Sequence, residues 1–293
     1  MATTFEHMTG YPTTLPYPQL SSAFLDVWVR GRLTAVFEAA DEIPFDDDTR
    51  IIFFSDCHRG DNSRADEFAP NEALFLNVLS RYYDEGFSYI EVGDGDELWK
   101  NRRFQDIRQA HGRVFDLLHR FDDQRRLHLI LGNHDIQGSQ CHQLSKDGLT
   151  AVEGLILKHV RTGQRLFILH GHQADPASDR LYQISRFVVR RIWRQLQLLG
   201  LGGTPSEKEL EKPRTRYEYR LLSWAQEYNQ PVICGHTHHP TSAQRSDVPY
   251  FNTGCCLVPG VLTGLELRGG ELSLVRWRER PGKGTGFACE RDL

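Results

Sequence analysis

Five short apolar runs in this chain stop abruptly on side chains that bind metals. "IIFFSDCH" ends on Asp56 and His58, "YIEVGDGDE" on Asp94, "LILGNHD" on Asn133 and His134, "FILHGH" on His170, and "VICGHTHH" on His236 and His238. Apolar runs of this length bounded by polar turns read as buried strands. Gly93, Gly132, Gly171 and Gly235 adjoin the polar residues, so the backbone can turn sharply as it leaves each strand. One such run means little. Five, each carrying Asp, Asn or His at the strand end, call for a fold that gathers strand ends at one place.

The segments between the runs say which fold that is. "NEALFLNVLSRYYDEG" is an amphipathic helix closed by Gly86, and "RRFQDIRQAHGRVFDLLHRF" reads as another. From Arg50 to Asp135 the order is therefore β-α-β-α-β, which favours an α/β fold with a parallel sheet and crossover helices. Ligands in such sheets sit outside the carboxyl ends of the strands. Further on, "AVEGLILKHV" and "QRLFILHGHQ" pair around "RTGQ". "VPYFNTG", "LTGLELRGG" and "ELSLVRW" look like closing antiparallel strands, with Gly269–Gly270 as a hairpin turn. Ser178–Leu199 and Arg214–Tyr228 read as helices joined by the flexible "GLGGTPSE".

Residues 1–20 carry three prolines and no period, and read as an arm. A helix over Ser21–Ala40 follows, capped by Ser21 or Ser22. The expected organisation is an N-terminal arm and helix over 1–45, then one domain over 46–293 with a helical insertion at about 176–229.

Composition narrows the function. The net charge is −4 with no basic stripe, which argues against a dedicated nucleic-acid binder. No run approaches the ~20 apolar residues that cross a bilayer, and the N-terminus lacks the basic flank and apolar core of a signal peptide. The six cysteines are scattered without a CxxC pair, and read as reduced thiols in a cytoplasmic protein. Cys57, between Asp56 and His58, is turned by strand alternation towards the core.

The donors at the strand ends mix oxygen and imidazole, which suits Mn²⁺, Fe or Zn²⁺ better than a thiolate-bound structural zinc. Asp56, His58, Asp94, Asn133, His170, His236 and His238 are seven candidate ligands, more than one ion needs beside water. Two ions sharing a carboxylate account for the number.

In order, "DCH", "GDGDE", "GNHD", "HGH" and "GHTH" resemble the motif series of the calcineurin-like metallophosphoesterases, over about Arg50 to Asn252. The resemblance implies a four-layer α/β/β/α sandwich with a helical cap insertion and the site where the two sheets meet. It implies one divalent ion held by Asp56, His58, Asp94 and His238, and a second by Asp94, Asn133, His170 and His236, with Mn²⁺ expected ahead of Fe or Zn²⁺. His134 would be the proton donor to the leaving group, oriented by Glu97, with Asp96 as the lesser choice. The implied reaction is hydrolysis of phosphodiester or pyrophosphate bonds in a small phosphoester by water activated on the two ions. A phosphomonoesterase or protein phosphatase would use the same metals. A non-catalytic scaffold of the same fold is the rival from another class, although such proteins tend to lose ligands.

Arg59, Lys100, Arg102 and Arg103 follow motif ends and are candidate contacts to substrate phosphate. The segment "DRLYQISRFVVRRIWRQLQLLGLGG" carries Arg186, Arg190, Arg191 and Arg194 among apolar residues. It reads as a cap over the site, or as a helix over 180–200 that touches a membrane surface. The N-terminal arm is a candidate oligomer contact. Within the superfamily the layout is most similar to bacterial UDP-diacylglucosamine pyrophosphatases, through "GDGDELW", the insertion after "HGH", "YFNTG" and the closing "LELRGGELSLVRW". It departs from them in having His134 where they carry Arg and His172 where they carry Asp, which leaves the substrate open.

Overall fold

In the computed structural model, residues 22–136, 143–179, 187, 189–199, 206–211, 216–243, 247–279 and 286–291 are described. In chain order the first half holds α1 (Ser22–Ala39), β1 (Asp41–Phe45), β2 (Ile51–Phe54), α2 (Glu72–Asp84), β3 (Ser88–Val92), α3 (Phe104–Ala110), α4 (Gly112–Asp123) and β4 (Leu127–Ile130). Then come β5 (Gln143–Lys146), β6 (Leu149–Val152), β7 (Gly154–His159), β8 (Arg165–Leu169) and the short α5 (Pro176–Asp179). A π-helical turn over Val189–Trp193 runs into α6 (Arg194–Leu198), and α7 spans Arg216–Glu227. The remaining strands are β9 (Val232–Cys234), β10 (Thr241–Ala243), β11 (Tyr250–Asn252), β12 (Val261–Arg268), β13 (Glu271–Glu279) and β14 (Phe287–Arg291).

The strands form two sheets. An eight-stranded sheet runs β14-β13-β12-β2-β3-β4-β6-β5, and a six-stranded sheet runs β1-β7-β8-β9-β11-β10. β2, β3 and β4 are parallel neighbours, as the alternation of strand and helix signals requires. β7 and β8 form the expected antiparallel pair, and β8 runs parallel to β9. β12 and β13 are joined through Gly269 and Gly270, with φ of 61° and 76°, the conformation a tight two-residue hairpin demands.

Alternation along the strands sorts the core into three clusters. Ile51 and Phe53 of β2, Leu155 and Leu157 of β7, and Leu166 and Ile168 of β8 point between the sheets. Ile52 and Phe54 face the other way, onto α2 and α4 through Phe75, Leu79, Leu118 and Phe121. Ile156 and Phe167 face outward from the second sheet onto α1 and α7, through Leu33, Val36, Leu221 and Trp224. Three clusters at three interfaces make four layers, α/β/β/α. Each fully buried Leu, Ile or Phe contributes roughly 1.5–3 kcal/mol relative to exposure. Five cysteines among the described residues are free thiols, and Cys57 is buried in the core beneath α2; Cys141 lies outside the described residues.

The expected N-terminal unit and insertion both contain elements that pack on the six-stranded sheet. α1 covers its outer face, and β1 adds a parallel edge to it through β7. Within the expected insertion, α7 buries Leu221, Trp224 and Ala225 against that same sheet. The described part of the expected cap is α5, the turn over Val189–Trp193 and α6. The expected arm over 1–20, the cap of α1 at Ser21, and Arg186 lie outside the described residues.

Candidate metal centre

The carboxyl ends of β2, β3 and β4 in one sheet meet those of β8 and β9 in the other, and every strand-end residue singled out above arrives there. The loops are held by backbone bonds between them. Asp56 N donates to Gly93 O at 3.0 Å, His58 N to Asp94 O at 2.9 Å, and Gly235 N to His170 O at 2.9 Å. Asp56, His58, Asp94, His236 and His238 have φ of 51°, 48°, 51°, 69° and 57°. That left-handed conformation costs side-chain-bearing residues about 1–3 kcal/mol each and clusters at functional sites. Among the described residues, five of the nine non-glycine residues with positive φ are these candidate ligands, so the strain is concentrated where the loops converge. Gly132 permits a close approach: a Cβ there would collide with the backbone nitrogen and carboxylate of Asp94.

Several of these side chains are aimed by a second partner. Asp56 Oδ2 accepts from Ser55 Oγ and from His236 N, the latter at 3.0 Å. Asp94 Oδ1 accepts from His134 N at 2.8 Å. His170 Nδ1 donates to Val92 O at 2.8 Å, which turns Nε2 into the cluster. His58 Nδ1 lies 3.4 Å from Glu97 Oε2, and His236 Nε2 lies 3.4 Å from Asp175 Oδ2. Backbone and carboxylate partners of this kind fix the tautomer and orientation of metal-binding imidazoles.

The inward atoms are left for something else. Asp56 Oδ1, His58 Nε2, Asn133 Oδ1 and His170 Nε2 are buried without a hydrogen-bond partner. Unpaired buried polar groups of this kind are costly. They face one another at contact distances: His238 Nε2 is 3.0 Å from Asp56 Oδ1, His170 Nε2 is 3.2 Å from Asp94 Oδ2, and His58 Nε2 is 3.6 Å from Asp94 Oδ2. Such spacings suit neighbouring ligands around ions with bonds of about 2.0–2.2 Å. Asp56, His58 and His238 form one group whose donor atoms lie within 4.8 Å of each other, and Asp94, His170 and His236 form another. The residues present therefore fit divalent metal ions.

The electrostatics agree. Burial pushes the Asp56 and Asp94 carboxyls up, but the neighbouring imidazoles, His238 and His170 at Asp56 and His170 and His134 at Asp94, bring both below the ordinary carboxylate value. Burial pulls His170 down, yet Asp94 and Asp56 overcome it and hold it at about 9. Two buried carboxylates here draw positive charge to themselves; a bound cation would displace those protons.

Beside the cluster, His134 Nδ1 meets Glu97 Oε1 at 2.8 Å and stacks on Trp99 with ring centroids 4.2 Å apart. Burial raises the Glu97 carboxyl, and the charge and hydrogen bond of His134 outweigh it, leaving it well below its ordinary value. An ionised Glu97 accepts the Nδ1 proton, so Nε2 of His134 is the atom presented outward. Asp96, the lesser candidate for orienting His134, is committed elsewhere, to Arg59 and Lys146.

A cavity of about 330 Å³ opens over these groups, with His58, Asp94, Asn133, His134, His236 and His238 on its floor. Glu67, Glu97, Trp99, Lys100, Ser178, Val189 and Leu257 complete its wall. The cap is clipped over this cavity. Arg190 donates to the carbonyls of Leu98, Trp99 and Asn101, Arg194 to Asp61 at 2.7 Å, and Gln197 to Glu67 at 2.9 Å. A larger cavity of about 580 Å³ lies between α1 and α7, lined by Arg30, Arg216 and Glu227 among others. It contains no convergent ligand set and is not the site.

The expected arginines are placed elsewhere. Arg59 is 1% exposed and does not line the cavity. Its guanidinium is committed to Glu91 at 2.6 and 2.8 Å and to Asp96 at 2.8 Å, which corrects its reading as a substrate contact. Arg103 is exposed and paired with Asp106, and neither Arg102 nor Arg103 lines the cavity. Of the four basic residues considered, Lys100 does. Trp99 and Glu67 were not assigned to the site from sequence; the "GDGDELW" spacing pointed at Trp99, while nothing local distinguishes Glu67. His172 is buried beside His170 and His236, with Asp179 3.6 Å from its Nε2. Glu153, His172 and Asp179 also cluster, but Arg32 of α1 pairs with both carboxylates and supplies their counter-charge.

No curated protein matches the chain. Among solved structures, a conserved protein from Streptococcus pneumoniae described as a predicted phosphoesterase is 14% identical, with 83% of this chain and 97% of that one covered and a TM-score of 0.37. Vacuolar protein sorting 29 from Cryptosporidium parvum is 12% identical over 83% and 97%, with a TM-score of 0.43. An archaeal phosphodiesterase is 16% identical over 78% and 99%, with a TM-score of 0.39. The family model for calcineurin-like phosphoesterases matches residues 49–240, a span that contains all five motifs and the residues converging at the centre; the chain belongs to that family.

Proposed function

We propose that the protein is a dinuclear metal-dependent phosphodiesterase. The observation that carries the reading is the juxtaposition of two ligand groups with the His134–Glu97 pair in one capped cavity. Asp56, His58, Asp94 and His238 would hold one ion, and Asp94, Asn133, His170 and His236 the other, with Mn²⁺ first among the candidates. When bound, a pair of divalent cations neutralises phosphoryl charge and makes a water nucleophilic at neutral pH.

The chain's own residues do the rest. Asp94, whose Oδ1 is fixed by His134 N, offers Oδ2 to both groups. Neutral Asn133 supplies an oxygen without adding negative charge near an anionic substrate. His134 presents Nε2 to the departing oxygen and gives it a proton, while Glu97 steadies the imidazolium; positioned general acids of this kind contribute about 10²–10⁴-fold. Trp99 beneath the His134 ring and Val189 above the cavity restrict water around the leaving group.

The test is hydrolysis of bis-(p-nitrophenyl) phosphate, p-nitrophenyl phosphate, alkyl phosphodiesters and nucleotide-sugar diphosphates by the Mn²⁺-loaded protein. The expected outcome is diester turnover in excess of monoester turnover. Monoester preference would assign a phosphomonoesterase, and metal binding without turnover of any ester would assign a scaffold.

A further inference from the structure

The wall of the cavity on the His134 side contains a carboxylate with no part in the reaction as proposed. Glu67 Oε2 accepts from Lys100 Nζ at 2.6 Å, and Oε1 accepts from Gln197 of the cap at 2.9 Å. Lys100 in turn lies 3.7 Å from Glu97, the partner of His134. Glu97, Lys100 and Glu67 thus form a chain leading from the proton donor along the wall. His134, the proposed donor to the departing oxygen, and Glu67 line the same cavity.

We infer that Glu67 is a specificity-determining residue, and that it selects phosphodiesters whose leaving alcohol carries a hydrogen-bond donor, a hydroxyl or an ammonium. This rests on the phosphodiesterase reading above and names the substrate class of the same site. A carboxylate offers about four lone-pair positions. Its bonds to Lys100 and Gln197 leave acceptor capacity towards the cavity that its side chain lines, at 18% exposure. The two anchors come from different segments, the cap and the loop after Asp94, which preorganises the carboxylate.

The same wall disfavours a second phosphate. Lys100 is the one lysine or arginine among the described residues lining the cavity, and it lies between Glu67 and Glu97. A pyrophosphate or a carboxylate-bearing alcohol would bring an anion against Glu67 with no free cation to meet it, and like charges in a partly buried pocket repel strongly. A neutral donor or an ammonium finds the opposite situation, an acceptor already in place.

The experiment uses the Mn²⁺-loaded protein and methyl phosphodiesters with matched leaving alcohols: propyl, 3-hydroxypropyl, 3-aminopropyl and 3-carboxypropyl. The kcat/KM of the aminopropyl ester should exceed that of the propyl ester by about ten- to a hundredfold, the range of a hydrogen bond to a charged group. The carboxypropyl ester should be the poorest. Glu67→Gln can still accept from Lys100 through its one oxygen, and its NH2 can donate to Gln197 once that amide flips to present Oε1; it should reduce the aminopropyl-to-propyl ratio by at least about tenfold. Glu67→Lys should invert the order of the amino and carboxy esters. Binding of the corresponding methylphosphonate analogues to Ca²⁺-loaded protein, followed by calorimetry, should show the same order and the same inversion. Equal rates across the wild-type series, or ratios unchanged in both variants, overturn the role of Glu67 while leaving phosphodiester hydrolysis standing. Failure of the wild type to hydrolyse any diester overturns the phosphodiesterase reading, and the inference with it.

Discussion

Replacing Arg59 by Met distinguishes a structural ion pair from a substrate contact more cleanly than any change at the metal ligands. The side chain is 1% exposed, and so is that of Asp96, while that of Glu91 is 5% exposed. Burial lowers the pKa of the guanidinium, but Asp96 and Glu91 overcome it and hold it well above its ordinary value. Arg59→Met leaves Glu91 buried with the Tyr89 hydroxyl as its side-chain donor, at 3.0 Å, while Asp96 keeps Lys146 at 2.6 Å. Breaking a buried pair by removing one partner costs about 3–5 kcal/mol, mostly because the survivor stays charged. At about 2 °C per kcal/mol for a chain of this size, the melting midpoint should fall by about 6–10 °C. Removing the stranded charge as well, in Arg59→Met with Glu91→Met, should recover at least half of the loss, since an apolar replacement of a buried pair is often neutral. Thermal denaturation followed by circular dichroism at fixed Mn²⁺ reads both effects, and KM for a phosphodiester reads the alternative. A melting midpoint within about 2 °C of the wild type, together with a raised KM, would refute the assignment of Arg59 to the interior.

Three further outcomes are expected. Asp94→Asn should lower bound Mn²⁺ from two ions per chain and abolish turnover; near-normal activity with full metal content would remove Asp94 from the bridging position. His134→Ala should retain metal yet lose about 10²–10⁴-fold in kcat, most for alkyl leaving groups, and an equal loss with p-nitrophenyl esters would argue against proton donation. Burial holds His128 below its ordinary imidazole value, against a smaller opposing effect of Asp122. The unfolded chain then binds a proton that the folded one resists, so this stability is complete above pH ~6.5 and declines as pH falls through the unfolded value. Urea titrations between pH 7.5 and 5.5 should show that slope, and His128→Gln should flatten it.

The parts of the fold legible in the sequence were those where a single local signal suffices. β2, β3, β4, β8 and β9 are short, mostly apolar runs, each ended by a glycine or a polar turn, so their positions follow from local signals, while the meeting of their tips between two sheets was implied by the family resemblance. β1 was not legible: "DEIPF" is largely exposed and contains a proline, and only its pairing with β7 makes it a strand. The two outer helices show the same limit from another side. Helical spacing in Arg216–Glu227 identifies an apolar face, but not whether that face covers a cavity or a sheet. Arg59 was misread because it follows a motif end, where a cation near phosphate is a natural guess. The opposing signal was in the sequence: Glu91 sits inside the buried run "YIEV", and a carboxylate in the middle of a buried strand needs a cation. Glu67 had no such marker, because its place in the cavity depends on Lys100 and Gln197, which are distant in sequence.

The Arg59 pairing also bears on how the strained candidate ligands are kept in place. The loops after β2, β3 and β4 are joined by one buried chain of charges: Arg59 to Asp96, Asp96 to Lys146, and Lys146 to Asp135. Asp135 closes the chain by accepting from the backbone nitrogens of Asp96 and Gly132, both at 2.9 Å. Such networks contribute little net stability compared with an apolar core, and their best-supported value is in specifying geometry. Left-handed Asp56, His58 and Asp94 persist only if their surroundings over-determine them, and this chain of charges together with the backbone bonds between the loops does so. Lys146 comes from β5, at the far edge of the eight-stranded sheet, so an edge hairpin helps hold the loops that carry Asp94 and His134 in register. Spacing between the loops that bear the candidate ligands is therefore set by the fold itself, and it is from such preorganisation that charged groups in a site draw most of their effect.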